Sequence, residues 1–161
     1  MYPAIAIEVG KAVMEIMLKR HELEERNATS NPLFFLDEQA NEIIRKHNAP
    51  IVMRDHRIVS TFEIKPFHGE DVVMQQKHIA MVINMAIEKA MLEIKQVELD
   101  AYRIAMKQED GVTKTTDETC KECAKDAVRY ALPLIVWRNA QTVVEAIVRD
   151  NAENIGYVKI P

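Results

Sequence analysis

Glycine and cysteine are scarce in this 161-residue chain, at 4 and 2 residues, and aromatic residues make up only 6% of it. So little glycine argues against a loop-rich or barrel-like fold, which uses it at tight turns and strand corners. The two cysteines, Cys120 and Cys123, lie three positions apart and cannot tie distant parts of a fold together, so the chain lacks the disulfide framework of a small secreted domain. No stretch approaches the roughly 18 consecutive apolar residues of a membrane span. Met1 to Gly10 has neither the basic start nor the long apolar run of a secretory signal. No membrane partner is expected, and the expected location is the cytoplasm, or a particle assembled there. Neither charge sign dominates: 21 basic against 25 acidic residues leave a formal net charge of −4, which offers no whole-molecule attraction to nucleic acid.

What is present is a globular composition, 48% hydrophobic and 29% charged. A chain of this length buries roughly two thirds of its unfolded surface, enough for one domain with its own core spanning residues 1–161. The patterning predicts a mainly α fold: an irregular bundle of about four helices, with a long central helix and one inserted β-hairpin.

From Pro3 to Arg26, Ile5, Val9, Val13, Ile16, Met17 and Leu23 recur at helical spacing with charged residues between them. After the polar break at Asn27 to Asn31, Asn31 can cap a second helix with Pro32 at its first position, where a missing N–H costs nothing. That helix runs to about His47, with Phe34 and Phe35 partly off its apolar stripe. Residues 51–64 then turn β-branched and aromatic around the polar tip Arg54-Asp55-His56-Arg57, the pattern of a hairpin. The tip lacks the Asn-Gly of a tight two-residue turn, and a lone hairpin must lean on the helices or on strands of another copy.

From Glu70 the chain contains no glycine or proline until Gly111, which predicts a helix to about Gln108. Ile83, Ile87, Ala90, Ile94, Val97, Ala101 and Ile104 form its core stripe, and Met85, Leu92, Leu99 and Met106 recur every seven residues on nearly the opposite side. Thr115 and Glu118 match a capping box for a last helix from about Asp117 to Asn151. Leu134, Ile135, Val143 and Ile147 are expected on its core side, and Pro133 is expected to kink or split it. After Gly156, residues 157–161 read as an extended tail.

Candidate chemistry is thin. Cys120 and Cys123 have the spacing of half a zinc site, with no second pair to complete it. Glu22 and Glu25 share a helical face, as metal-binding helices require, but the Glu-x-x-Asp that all-α nucleotide pyrophosphatases add is absent, as are the Glu-x-x-His motifs of di-iron bundles. Ser30 and Ser60 sit in no glycine-rich elbow. No metal, cofactor or catalytic residue is assigned. The basic cluster Arg54, His56 and Arg57 at the hairpin tip is the candidate phosphate contact, with Asp55 among it.

The leading expectation is a non-catalytic, homo-oligomeric structural or assembly subunit, such as a virion component. Met85, Leu92, Leu99 and Met106 would form its interface, and Tyr157 and Val158 in the tail would add a strand to a neighbour. The alternatives are a small helical metal-dependent enzyme or nucleotide-binding regulator using Glu22 and Glu25, and a nucleic-acid-binding module using the hairpin tip.

Overall fold

The computed structural model describes the backbone of residues 4–26, 32–61, 71–107 and 116–151, and the side chains of 4–26, 36–59, 77–107 and 116–149. Its elements in chain order are α1 (Ala4–Glu25), α2 (Pro32–Lys46), β1 (Ile51–Arg54), β2 (Arg57–Thr61), α3 (Asp71–Lys107) and α4 (Asp117–Asn151). This is the mainly α architecture, with a long helix and an inserted hairpin, that the patterning predicts. Asn31, the side chains of Phe34 and Phe35, residues 62–64, Thr115 and the tail with Tyr157 and Val158 lie outside the described residues.

Helix α1 is the most deeply packed. Val9, Val13, Ile16 and Met17 on its expected stripe are fully buried, and so are Ala6 and Ala12 off it. The wider burial follows from its neighbours, because α1 packs against α2, α3 and α4 together. Gly10 marks the closest approach: a Cβ there would lie 2.6 Å from Cγ2 of Val144 on α4. The missing side chain therefore sets the α1–α4 spacing.

Helices α3 and α4 pair along most of their length and outrun α1. At about 1.5 Å per residue, the 37 residues of α3 span about 55 Å and the 22 of α1 about 33 Å. The last turns of α1, with His21, Glu24 and Glu25, reach only to Ile94 and Glu98 of α3 and Val128 of α4, around a cavity of about 270 Å³. Beyond that level Ala105, Cys120 and Ala124 are buried, apart from the main core. Such small side chains let two helices close on each other without a third. Tyr102 donates a hydrogen bond to Asp117 across this end. The tyrosine hydroxyl is pushed above its ordinary pKa by that carboxylate, and Asp117 is held below its own by Tyr102 and then Lys121.

Three expectations change here. Ile104 is 61% exposed rather than buried, because α1 stops short of it. Helix α4 is not split at Pro133, which lies inside it. Pro133 is exposed, so the carbonyl it leaves without a partner is on the solvent side, while Ile135 and Val136 hold the following turn in the core. The N-cap of α4 is Thr116, one residue later than expected: its hydroxyl accepts from the Thr119 N–H at 3.2 Å.

Helix α2 ends in a Schellman motif. The Ala49 N–H donates to the Ile44 carbonyl and the Asn48 N–H to that of Arg45, with Asn48 at a φ of 51°. Pro50 follows and hands the chain to β1. In the hairpin, Asp55 and His56 both take positive φ, 54° and 68°. The tip is therefore a two-residue loop of the primed type without glycine, since Asp and His tolerate the left-handed region better than most side chains. The His56 N–H donates to Asp37 of α2 at 2.9 Å and fixes the tip.

The hairpin leans on the helices. Asn41 of α2 accepts from the Met53 N–H at 3.2 Å and donates to the Met53 carbonyl at 2.7 Å. Asn84 of α3 does the same to Ile58, accepting at 2.7 Å and donating at 3.1 Å. Met53 and Ile58 are register partners, so one carboxamide closes each outer edge of the same rung. A carboxamide carries the donor and acceptor of a peptide group, and each asparagine stands in for a neighbouring strand. At this rung the hairpin has no need of a strand from a second copy. Beyond it the register shifts between Val52 and Met53, which leaves Val59 as the unpaired residue of a bulge and turns both valines outward.

Candidate interaction surface

Helix α3 faces α1, α4 and β2 with one side. With about 100° between successive residues, Met81, Met85, Leu92, Leu99 and Met106 fall on the other. All five are exposed, Leu92 the most at 71%. The seven-residue stripe of the sequence is thus solvent-facing over about 32 Å from Met85 to Met106. Met85 and Leu92 are not covered by the hairpin or by α4.

A second apolar face was missed by sequence reasoning. Tyr130, Leu134 and Trp137 on α4 are 91%, 60% and 53% exposed. Leu134 was expected in the core, and the correction has a simple cause: at about 100° per residue it falls on the side of α4 opposite Val136, Val143 and Ile147, which are buried. The spacing of four then three in Tyr130, Leu134 and Trp137 was the available signal. Trp137 borders a shallow depression with Ile7, Gly10 and Met14 of α1.

The two faces do not merge. Arg138 donates to Glu93 across the outer seam between α4 and α3. Each of these residues sits about 100° around its helix from its apolar neighbour, Trp137 or Leu92, so the ion pair stands between the faces. Lys89 approaches Glu93 at 4.0 Å and extends this polar seam.

The other candidate groups are placed as follows. His56 and Arg57 line a cavity of about 330 Å³ whose floor includes Ile16, Leu36 and Ile87, together with Arg20, Asp55 and Glu88. Arg54 is exposed and does not line it. Acidic groups therefore balance the cations, and the tip is tied down rather than projecting. Glu22 accepts from Lys19 and Arg26, and Glu25 lies 3.2 Å from buried His21. Among the described residues no three His, Cys, Asp or Glu side chains come together as a metal would require. Cys120 is buried and Cys123 exposed.

One polar cluster does join two elements. Glu15 on α1 accepts from Lys46 at 3.1 Å and contacts Nε2 of His47 at 2.7 Å, while Nδ1 of His47 lies 3.5 Å from Glu8. Partial burial pushes the Glu15 carboxyl up, but hydrogen bonds from His47 and Lys46, and their charges, outweigh it and hold the group below its ordinary value of 4.5. A depressed folded-state pKa contributes stability above the unfolded value that is lost as pH falls through the folded one. The protein is expected to lose melting temperature on acidification below about pH 4.5, and Glu15→Gln to flatten that slope. Thermal melts between pH 6 and pH 3 test this, and parallel curves for both proteins would contradict it.

Among described residues, no helix is long and apolar enough to cross a membrane. No protein family matches this chain, and no curated protein or solved structure shows significant similarity to it.

Proposed function

We propose that this protein is a non-catalytic structural subunit that assembles with copies of itself into a larger complex, of which a particle shell such as a virion is one form. The observation that carries the reading is the exposed apolar surface on α3 and α4. Single exposed apolar residues are ordinary, but aligned sets on two long helices are the mark of contact surfaces. Methionines on α3 supply an adaptable surface, and Tyr130 and Trp137 belong to the residue types that dominate interface energetics. At the Met53–Ile58 rung the hairpin adds nothing to the case, since Asn41 and Asn84 close both of its edges there within the chain.

The test is Leu92→Glu, which places a charge in the middle of the α3 face without touching the core. The variant is expected to keep the helical circular dichroism of the parent and to sediment at lower mass. An unchanged sedimentation profile, with the parent larger than a monomer, would remove α3 from the interface.

A further inference from the structure

We infer that the cavity beneath the hairpin tip is a binding site for a small zwitterion, an α-amino acid with an apolar side chain. Its volume of about 330 Å³ is at the lower end of the range for ligand pockets, about 300–1,000 Å³, and α1, α2, the hairpin and α3 meet around it. Every residue lining it belongs to one copy of the chain, so the site does not depend on self-assembly.

The rim carries charges of both signs that do not neutralise one another. Arg20 and Arg57 line the cavity with Asp55 and Glu88. Among the described residues Arg57, Asp55 and Glu88 form no ion pair. Arg20 makes a weak one, from its Nε to the exposed Glu24 of its own helix at 3.5 Å, and its terminal nitrogens keep their donors. Opposite charges that line one cavity without meeting are complementary to a ligand that carries both. A simple anion would gain from Arg20 and Arg57 but meet Asp55 and Glu88, and a simple cation would do the reverse. Below the rim, Ile16, Leu36, Met53 and Ile87 close the cavity with buried apolar side chains. The ligand's charged groups therefore stay at the rim while its carbon chain points inward. An α-amino acid has this layout, with both charges on one carbon and the side chain leading away.

The backbone that presents Arg57 is fixed on both sides, since the His56 N–H donates to Asp37 and the Ile58 N–H to Asn84. Arg20 stands one helical turn from Ile16, and Glu88 one turn from Asn84. The charged residues are thus held on a fixed frame before a ligand arrives, which lowers the ordering cost of binding. The turn places Asp55 and His56 at positive φ, where glycine is the usual residue. Glycine would relieve that backbone but remove both side chains from the cavity, and strain kept at a ligand clamp is a known pattern.

Titration of the isotope-labelled full chain with L-leucine and L-phenylalanine, followed by amide NMR shifts, tests the assignment. Isocaproate and isoamylamine serve as probes that keep the leucine carbon chain but lack its ammonium or its carboxylate. At least one of the two amino acids is expected to shift amides of the hairpin tip and of α3 around Asn84. Leucine is expected to bind about tenfold more tightly than either probe, since each probe loses a charge-assisted contact. Arg57→Ala and Glu88→Ala, both at exposed positions outside the core, are each expected to weaken amino-acid binding about tenfold. A probe that binds as tightly as leucine, or inorganic phosphate bound in place of the amino acids, would overturn the zwitterion assignment. These amides left unshifted by both amino acids at millimolar concentration, or unchanged affinity in both variants, would overturn the site.

Discussion

Replacing Asn41 and Asn84 together by alanine is expected to destabilise the protein by about 3–5 kcal/mol and to release the hairpin from the helices. Each carboxamide satisfies one N–H and one carbonyl on the outer edge of a strand, and Met53 and Ile58, whose backbone they meet, are each 3% exposed. Leaving a buried polar group without a partner costs about 1–3 kcal/mol, so each single variant is expected to cost about 1–3 kcal/mol once water reaches the vacated edge. The two sites close the same rung, and their effects are expected to couple rather than add. Asn84→Asp separates the two bonds: a carboxylate still accepts from the Ile58 N–H but repels its carbonyl. Urea unfolding of the parent, both single variants and the double variant checks this. A double variant within about 1 kcal/mol of the parent would show that the hairpin stands without its asparagine partners.

The second large effect is expected at Gly10. Gly10→Val should destabilise the fold by about 3 kcal/mol, at the upper end of the usual cost of overpacking. The new Cβ would start 2.6 Å from Cγ2 of Val144, a stiff β-branched side chain that is 6% exposed, so the helices themselves must separate. Helix propensity works the other way, since valine suits a helix interior better than glycine by a few tenths of a kcal/mol, and steric cost wins. Val144→Ala in the same chain should recover a large part of the loss. A double-mutant cycle measures that recovery, and additive effects would mean that Gly10 and Val144 do not limit the approach of α1 to α4.

The elements of this fold were legible because their signals are local. The long run without glycine or proline gave α3, Pro32 marked the start of α2, and the β-branched stretch from Ile51 marked the hairpin. The departures come from the third dimension. Whether Ile104 is buried depends on where α1 ends beside α3 and α4, and no periodicity within α3 records that. The edges of the Met53–Ile58 rung are closed by Asn41 and Asn84, single polar residues at helix positions that carry no sequence signature of their own. The primed turn at Asp55-His56 went unread because glycine is its usual signal, whereas here Asp37 anchors the loop from another element.

The exposed apolar faces were half legible. A seven-residue repeat of Met and Leu opposite a core stripe is readable as a second face, and Met85 to Met106 is exposed as that pattern implies. The face on α4 was obscured because the buried side of α4 drifts around the helix, from Cys120 and Ala124 near its start to Val144 and Ile147 near its end. A stripe that drifts around the helix reads as general hydrophobicity, and the exposed Tyr130 and Trp137 merge with it.

Mass in solution tests the account most directly. Light scattering across a concentration series is expected to give a multiple of 18.5 kDa that falls to a single unit in Leu92→Glu. A monodisperse 18.5 kDa species at high protein concentration would contradict self-assembly through α3 and α4.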